Sequence, residues 1–424
     1  MKFYKMLSLG CKVNTYEIQA IKELLNQKGY VESNNDQCDV FIINTCAVTQ
    51  VGEQKSRQMI RKSISKYPNA VIVVMGCYSQ LHPEIVKEIS GTNIILGTTN
   101  RSEIITLLEQ YEKEKQQIVL VNKDNRKEDY ECLKISSYSE NTRAFIKIQD
   151  GCNNFCSYCI IPYTRGNFRS RPKEEIFQEV KTLCDNGFLE IVLTGIDSAG
   201  YGKEFKDATY RFNDLLKEII EREPRLKRIR ISSMEESELD DEFIEILKNN
   251  PVVAPHLHIP LQSGSETVLK RMRRKYNKEQ FLSTINKIKN AVPNIALACD
   301  VIVGFPGETE EEFVECMEFI KECGFHFLHV FPYSIRPGTP ASVMENQVDP
   351  RIKKERVHRL IELGKLLQEE YENKFIGKDL NVIIETYNPK TKLYQGYSDN
   401  YIDVKVKSEE CLLGKYISVK YEKR

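Results

Sequence analysis

Three cysteines lie within eight residues in the segment IKIQDGCNNFCSYCIIP, where Cys152, Cys156 and Cys159 have the spacing C-x3-C-x2-C. Thiols at this spacing converge from one turn of chain, so they can form a disulfide knot, a zinc site or the holder of a redox-active centre. The chain has 424 residues and 13 cysteines, whereas disulfide frameworks belong to small domains in oxidising compartments. We therefore expect metal or redox chemistry at these three cysteines, which we call the loop trio.

The loop trio has one ligand too few for the usual structural centres. Structural zinc takes four ligands, usually supplied as two pairs, so a zinc site here would need a distant fourth ligand such as His256 or His258. A [4Fe–4S] cluster bound by three thiolates leaves one iron open to an external ligand. An iron with an open coordination position can take part in a reaction. The zinc site remains the alternative.

Three further cysteines each follow a strand-like segment: Cys11 follows LSLG, Cys46 ends FIINTC and Cys77 ends VIVVMGC. The carboxyl ends of parallel strands meet at one edge of a sheet, so we expect these thiols, the N-terminal trio, to share a second metal centre. The other cysteines are expected to be small buried side chains: Cys38, Cys132, Cys184, Cys299, Cys316, Cys323 and Cys411.

Hydrophobic patterning predicts an α/β chain of three domains. In residues 1–125, the segments FYKMLSLG, CDVFIINT and AVIVVMG alternate with amphipathic helical segments, which predicts a doubly wound parallel sheet. The charged segment KEKQQIVLVNKDNRKEDYE is expected to be an irregular connection. Over residues 138–368, six strand–helix units without antiparallel signals predict a partial barrel with functional residues at the carboxyl ends of its strands. Residues 371–424 predict a small all-β barrel.

Composition leaves the choice of partner open. Lys plus Arg and Asp plus Glu both number 61, so any contact with nucleic acid must come from local patches. The first residues, MKFYKMLSLGCKVN, lack the apolar segment of a signal peptide, and no run approaches the roughly 18 apolar residues of a membrane span. We expect a cytoplasmic protein without membrane contact, and the oligomeric state stays unknown.

The segment RAFIKIQDGCNNFCSYCIIPYTRG resembles the cluster-binding loop of the radical S-adenosylmethionine (SAM) enzymes. The resemblance implies that the loop trio holds a [4Fe–4S] cluster whose open iron binds SAM and cleaves it to a 5′-deoxyadenosyl radical. It implies no catalytic residue beyond the cluster ligands. It also implies SAM contacts from Tyr158 and from residues that follow later strands: Thr194, Gly195, Asp197, Glu235, Gln262, Ser263 and Gly307.

The segments SLGCKVN, NTCAVT, MGCYSQ, PYSIRPGTPA and QGYSDNYIDVKV narrow the resemblance to the methylthiotransferases. That family implies a second [4Fe–4S] cluster on the N-terminal trio. It also implies a C-terminal TRAM module that binds RNA, where Tyr394, Tyr397 and Tyr401 could stack on bases or could belong to the core.

Within that family the chain is most similar to the branch that modifies N6-threonylcarbamoyladenosine at tRNA position 37. The implied reaction adds a methylthio group to C2 in the anticodon stem-loop of ANN-decoding tRNA. It uses two SAM molecules and an electron donor such as flavodoxin or ferredoxin. The alternatives are isopentenyladenosine in tRNA, a ribosomal protein side chain, or a non-catalytic metal-containing RNA-binding protein.

Three arginines follow the loop trio directly, in YTRGNFRSRP. Arg165, Arg169 and Arg171 are either solvated or helix-capping charges, or guanidinium groups that bind a carboxylate or an RNA phosphate.

Overall fold

The computed structural model describes residues 1–136, 138, 142–206 and 209–422. These residues pack as two compact units. Unit 1 comprises Met1–Ser136, Lys147–Glu179 and Ser334–Ser342, and unit 2 comprises the described residues within Ser137–Ile146, Val180–Tyr333 and Val343–Arg424. Residues 139–141, 207 and 208 of the predicted central domain, and 423–424 of the C-terminal module, lie outside the described residues. The three predicted domain boundaries stay a prediction.

The strands, in chain order, are β1 (Lys2–Ser8), β2 (Tyr30–Glu32), β3 (Val40–Thr45), β4 (Val71–Gly76), β5 (Ile94–Leu96), β6 (Ile118–Leu120), β7 (Arg143–Lys147), β8 (Gln149–Asp150), β9 (Arg169–Ser170), β10 (Glu190–Thr194), β11 (Arg228–Ile231), β12 (His256–His258), β13 (Ala296–Val303), β14 (Phe327–Pro332), β15 (Asp379–Asn388), β16 (Leu393–Ser398), β17 (Asp403–Lys407) and β18 (Tyr416–Lys420). The α-helices are α1 (Lys12–Gln27), α2 (Gln50–Lys66), α3 (Cys77–Leu81), α4 (Pro83–Lys87), α5 (Ile104–Glu114), α6 (Ile161–Arg165), α7 (Lys173–Asp185), α8 (Phe212–Arg222), α9 (Asp241–Asn249), α10 (Glu266–Arg271), α11 (Lys278–Ala291), α12 (Glu310–Cys323) and α13 (Pro350–Asn373). Within the described ranges, no helix is both long and apolar enough to cross a bilayer.

A six-stranded parallel sheet organises unit 1, with the strand order β2-β1-β3-β4-β5-β6. Successive residues of a strand point to opposite faces. Ile42 of β3 accordingly packs with Ile21 of α1, while Ile43 packs with Ile60 of α2 on the other face. The predicted doubly wound sheet is confirmed.

The expectation of an irregular connection is wrong for part of the segment that follows. Ile118–Leu120 forms β6, the edge strand that pairs in parallel with β5. Three residues are too short to show an alternating pattern, so hydrophobic periodicity could not identify this strand.

Six strands form the predicted half-barrel. They lie in two three-stranded sheets, β11-β10-β7 and β12-β13-β14. A parallel bridge between Ile229 and Val253 and a 2.9 Å hydrogen bond from Met234 N to His258 O connect the two sheets. The half-barrel therefore follows the chain order of its strands, and the helices between them pack against one another.

The last four strands form an antiparallel sheet in unit 2, with the order β17-β16-β15-β18, so the all-β prediction is confirmed. Two arginines of β11 bind this sheet. Arg230 donates from Nη2 to Ser398 O at 2.6 Å, and Arg228 donates from Nε to Asp399 Oδ1 at 2.7 Å. Glu190, the first residue of β10, accepts from both guanidinium groups. The C-terminal sheet therefore covers the amino-terminal end of these barrel strands.

Candidate functional site

The N-terminal trio lies where three neighbouring strands of unit 1 end. In the parallel register, Ser8 of β1 is opposite Asn44 of β3, and Thr45 of β3 is opposite Gly76 of β4. Cys46 and Cys77 directly follow two of these strands, and Cys11 caps the N-terminus of α1. Sheet topology therefore brings the three thiols to one edge, where Cys77 interacts electrostatically with both other cysteines.

Small and polar side chains hold this edge together. Gly10 has a φ of +110°, and a Cβ there would lie 3.2 Å from Cys46 Sγ, so a side chain would crowd the thiol. Asn14 donates from Nδ2 to Leu9 O at 2.7 Å and to Thr45 O at 3.2 Å. These hydrogen bonds fix the chain before Cys11 to the chain before Cys46.

Without a metal, the Cys77 and Cys46 thiols favour the protonated form. Burial raises the pKa of the Cys77 thiol to about 12, opposed by Arg165 and increased by Cys46 and Cys11. Burial also raises the pKa of Cys46. A metal that binds here must therefore displace protons, which makes its affinity dependent on pH.

The loop trio lies in a loop of unit 1 that is closed at its base. β8 and β9 pair as a short antiparallel ladder, with Gln149 opposite Ser170 and Asp150 opposite Arg169. This ladder was absent from the prediction of purely parallel pairing. Inside the loop, Cys152 N donates to Gly166 O at 3.2 Å and Cys159 N donates to Cys156 O at 3.0 Å. The turn therefore places Cys156, which is buried, close to the half-buried Cys159.

Both trios are sets of thiols, which suit an iron–sulfur cluster. Across the described part of the chain, no three cysteine, histidine or carboxylate side chains are arranged to hold one metal ion. Thiolates are the ordinary ligands of such clusters. The assignment of all six cysteines as ligands stays a prediction.

The histidines of the zinc alternative have other neighbours. His256 stacks on Tyr401 with a ring separation of 4.5 Å, and His258 Nε2 lies 3.0 Å from Asp300 Oδ1. Both therefore already have contacts within unit 2.

A buried ionic network, which sequence reasoning missed, lies beside the two trios. Arg165 Nη1 is 2.8 Å from Glu17 Oε1 and 3.0 Å from Asp150 Oδ1. Lys147 Nζ is 3.0 Å from Glu17 Oε1 and 2.6 Å from Asp150 Oδ2, and Arg101 also pairs with Glu17. The signal was Glu17 itself, a carboxylate on the apolar face that α1 buries through Val13, Tyr16, Ala20 and Ile21.

Charge pairing keeps the network ionised despite its burial. Burial alone would raise the pKa of Glu17, but Arg101, Arg165 and Lys147 lower it below its ordinary value. The pKa of Asp150 is held well below its ordinary range by the same kind of competition, in which Lys147 and Arg165 outweigh burial. Buried charges that are paired and hydrogen-bonded avoid the cost of unsolvated ions.

The three arginines after the loop trio are internal, so both solvated charge and contact with RNA phosphate are wrong for them. Arg165 binds protein carboxylates. Arg171 is buried and donates to Glu179 Oε2 at 2.9 Å and to Tyr16 Oη at 3.1 Å. Arg169 donates to backbone oxygens of Asn125 and Arg165. The carboxylates that Arg165 and Arg171 bind belong to the protein itself.

The residues expected to contact SAM in unit 2 lie at the carboxyl ends of its strands. Thr194 ends β10, and its hydroxyl accepts from Ser232 Oγ at 3.1 Å. Gln262, with a φ of +65°, extends the pairing of β12 along β13. Gly195 and Asp197 follow β10, and Glu235, which follows β11, pairs with Arg274.

The two remaining positions after β12 and β13 differ in their surroundings. Ser263 is fully buried, and its hydroxyl accepts from Ser265 N. Gly307, with a φ of +75°, donates from N to Asn346 O at 2.9 Å. In unit 1, Tyr158 is half-buried between Cys156 and Cys159. A SAM contact by any of these residues stays a prediction.

Several smaller expectations have mixed outcomes. The expectation of burial is correct for four cysteines and wrong for two, since Cys132 and Cys411 are exposed. The four are Cys184, Cys299, Cys316 and Cys323, and Cys38 is intermediate. Among the C-terminal tyrosines, Tyr394 belongs to the core of the C-terminal sheet. Tyr401 stacks on Tyr397 and His256 and lies under Arg230.

Comparison with known proteins covers both trios. The family model of the Radical SAM superfamily matches residues 146–320, which include the loop trio. The model described as Uncharacterized protein family UPF0004 matches residues 3–97, which include the N-terminal trio.

Relatives match along the whole chain. The threonylcarbamoyladenosine tRNA methylthiotransferase MtaB of Bacillus subtilis is 49% identical over 97% of this chain and 92% of its own length. The protein of that name from Aquifex aeolicus is 39% identical over 94% of this chain and 95% of its own. The tRNA-2-methylthio-N(6)-dimethylallyladenosine synthase of Acetivibrio thermocellus is 36% identical over 99% and 88%.

A solved structure has a similar fold at low sequence identity. The radical S-adenosylmethionine methyltransferase TsrM of Kitasatospora setae, solved with cobalamin and a [4Fe–4S] cluster, aligns with a TM-score of 0.58 and 15% identity. The alignment covers 81% of this chain and 77% of that one.

Proposed function

We propose, from the premise that this chain belongs to the methylthiotransferase family of radical SAM enzymes, that it adds a methylthio group to C2 of N6-threonylcarbamoyladenosine in tRNA. One observation carries the substrate: the 49% identity with a threonylcarbamoyladenosine enzyme extends over 97% of the chain. The dimethylallyladenosine enzyme is similar over the same length but at 36% identity. The modified nucleoside is position 37 of the anticodon stem-loop of ANN-decoding tRNA.

The six cysteines divide the work between two clusters. Cys152, Cys156 and Cys159 hold the cluster that binds SAM, and Cys11, Cys46 and Cys77 hold the other. When bound, the clusters and SAM supply the radical and the sulfur that are needed to replace an aromatic C–H by C–S, a change beyond the strength of any side-chain acid or base. The chain itself keeps the two sets of thiols in one folded unit through the Glu17–Asp150–Arg165 network.

Further parts of the proposal concern partners. The electron donor is a flavodoxin or ferredoxin, because SAM cleavage needs one electron at low potential. Residues 1–125, 138–368 and 371–424 act as the cluster-binding, radical SAM and TRAM domains. RNA contact by the last of these uses surfaces other than Tyr401, which faces Arg230 and His256.

Nucleoside mass spectrometry tests the substrate. In tRNA from a strain lacking the gene, the methylthio form of threonylcarbamoyladenosine should disappear while its unmodified precursor accumulates, and the wild-type gene should restore it. A complementing gene with Cys156→Ala should fail to do so. Loss of the methylthio form of isopentenyladenosine instead would replace the proposed substrate by the alternative one.

A further inference from the structure

Strands β12, β13 and β14 of unit 2 have one face against helices and one face turned away from them. Leu328 of β14 packs against Gly364 of α13. Cys299 of β13 interacts with Cys316 and Cys323 of α12. Since side chains alternate along a strand, the residue after each of these points to the opposite, concave face of the half-barrel.

That concave face carries a compact polar cluster. Asp300 and His329 are directly opposite each other in the β13–β14 register. His258 Nε2 lies 3.0 Å from Asp300 Oδ1, and the rings of His258 and His329 stack at 5.0 Å with an interplanar angle of 14°. We call His258, Asp300 and His329 the histidine–aspartate cluster. None of these three residues has a role in binding an iron–sulfur cluster or SAM in the function proposed above.

The cluster is covered on one side and accessible on the other. Toward the amino end of β12, His256 stacks on Tyr401, so the C-terminal sheet closes that end. The side chains of His258 and Asp300 are 16% and 26% exposed, and His329 is exposed. Phe331, two residues nearer the carboxyl end of β14, is 43% exposed. The open side thus faces the end of the strands where barrel enzymes bind their substrates.

We propose that the histidine–aspartate cluster binds the N6 substituent of the target adenosine while Phe331 contacts the base. The inference rests on the proposed function and deepens it. A threonylcarbamoyl group carries a carboxylate, a hydroxyl and ureido N–H groups. The imidazole N–H groups of His258 and His329 donate to the carboxylate, and Asp300 accepts from the hydroxyl or a ureido N–H.

Spacing and solvation both fit such a substituent. Phe331 and His329 are about 7 Å apart along the strand, at roughly 3.3 Å per residue, which a substituent of several atoms spans. An isopentenyl group cannot form a hydrogen bond. Its binding would exclude water from Asp300 and from both imidazoles without giving these polar groups a new hydrogen-bond partner. Sites that are built to hydrogen-bond a polar group discriminate strongly against an apolar analogue.

The test compares two substrates with the reconstituted full-length enzyme. kcat/KM is measured for tRNA carrying threonylcarbamoyladenosine and for tRNA carrying isopentenyladenosine at the same position. His329→Phe should lower kcat/KM for the first by about tenfold or more, mainly through KM, and should not lower it for the second. SAM cleavage without tRNA should be unchanged. If His329→Phe does not fold, Asp300→Asn, which keeps the side-chain shape, takes its place. It should also lower the substrate ratio, which is kcat/KM for the threonylcarbamoyl substrate divided by kcat/KM for the isopentenyl substrate.

His326→Phe is the matched control. His326 precedes the same strand and stacks on Tyr371 of α13 at 4.0 Å, a contact that phenylalanine can keep, so the substrate ratio should not change. Suppose that wild type modifies the threonylcarbamoyl substrate and that neither His329→Phe nor Asp300→Asn changes the substrate ratio. The proposed binding site for the N6 substituent is then wrong, while the proposed function stands. If wild type modifies only the isopentenyl substrate, both are wrong.

Discussion

Arg165 Nη1 lies 2.8 Å from Glu17 Oε1, and both side chains are completely buried. Arg165 ends the short helix that follows the loop trio, and Glu17 lies on the helix that begins after Cys11. This ion pair therefore joins the two elements that carry cluster ligands. Arg165 also interacts electrostatically with Cys77 and Cys11, so it is a fixed positive charge beside the N-terminal trio.

Replacing Arg165 should affect both stability and redox behaviour. Arg165→Gln leaves Glu17 and Asp150 short of a partner, and loss of one member of a buried ion pair costs about 3–5 kcal/mol. Removing a nearby cation also makes reduction of the N-terminal cluster harder, because cluster potentials respond to local charge and hydrogen bonds. Denaturant unfolding measures the first effect, and an EPR-monitored redox titration measures the second.

Arg171→Gln provides the comparison for Arg165. Arg171 is equally buried, and its pKa, which burial alone would lower, is raised chiefly by Glu179 and Tyr16 rather than by cysteines. A similar loss of stability is expected, with no change in the potential of the N-terminal cluster. Equal shifts of the N-terminal cluster potential in both variants would show that the shift comes from general destabilisation of the fold and not from loss of the Arg165 charge.

Removal of Cys46 should separate the two activities of the enzyme. Cys46→Ala removes a ligand of the N-terminal cluster, so iron should fall from about eight to about four atoms per chain, four for each cube. Reductive SAM cleavage should continue, but no methylthio product should form. Anaerobic iron and sulfide analysis with product quantification checks both, and Cys38→Ala should retain full iron. Loss of SAM cleavage in Cys46→Ala would contradict the division of labour.

Removal of Cys156 should stop both activities. Cys156→Ala disrupts the cluster that binds SAM, so neither SAM cleavage nor methylthiolation should be detected, while about four irons remain on the N-terminal trio. Cys184→Ala, which alters a buried cysteine of α7 outside both trios, should behave as wild type. Residual SAM cleavage in Cys156→Ala would mean that the loop trio is not the SAM site.

The sequence predicted the parallel sheet and the convergence of Cys11, Cys46 and Cys77 because both follow from local patterns. Cys46 and Cys77 directly follow strongly apolar strands, Cys11 follows β1 after Leu9 and Gly10, and parallel strands have a common carboxyl edge. The strand β6 escaped prediction because Ile118–Leu120 lies in a charged context and gains its order from pairing with β5.

Long-range charge pairing was the harder part to predict. Arg165 and Glu17 are 148 residues apart, and a charged side chain alone does not reveal whether its partner is water or a distant carboxylate. The same holds for Arg230, whose partners Glu190 and Ser398 come from another strand and from the C-terminal sheet. Polar residues on the buried face of a helix or strand were the available signal.

Acid should weaken the fold through Glu17 and Asp150. The folded-state pKa values of both carboxyls are below their ordinary values near 4. Groups with a depressed pKa stabilise the fold above the unfolded pKa, and this stabilisation is lost as the pH falls through the folded values. Urea unfolding of the cluster-free chain from pH 7 to pH 3 should show the loss, and Glu17→Gln should reduce the slope by up to about 1.4 kcal/mol per pH unit.

Glu362→Gln is the control for the acid titration. Glu362 is an exposed partner of Lys365 on α13, so its replacement should leave the slope almost unchanged. If the slopes of Glu17→Gln and wild type were the same, the buried network would not be the source of the acid sensitivity.

Attachment of the C-terminal sheet should depend on Glu190 more than on any exposed carboxylate. Glu190 is fully buried and accepts from Arg228 and Arg230, which in turn hold Asp399 and Ser398. Glu190→Gln removes the balancing charge, and leaving two buried cations without it costs about 3–5 kcal/mol. Limited trypsin digestion should then cleave between α13 and β15 and release the C-terminal sheet. Glu410→Gln, which removes an exposed partner of Lys415, should cost about 1 kcal/mol or less and leave digestion slow. Equal cleavage rates in the two variants would mean that the arginines of β11 do not hold the sheet, and that its apolar contacts with Tyr371 and Phe375 of the preceding segment do so instead.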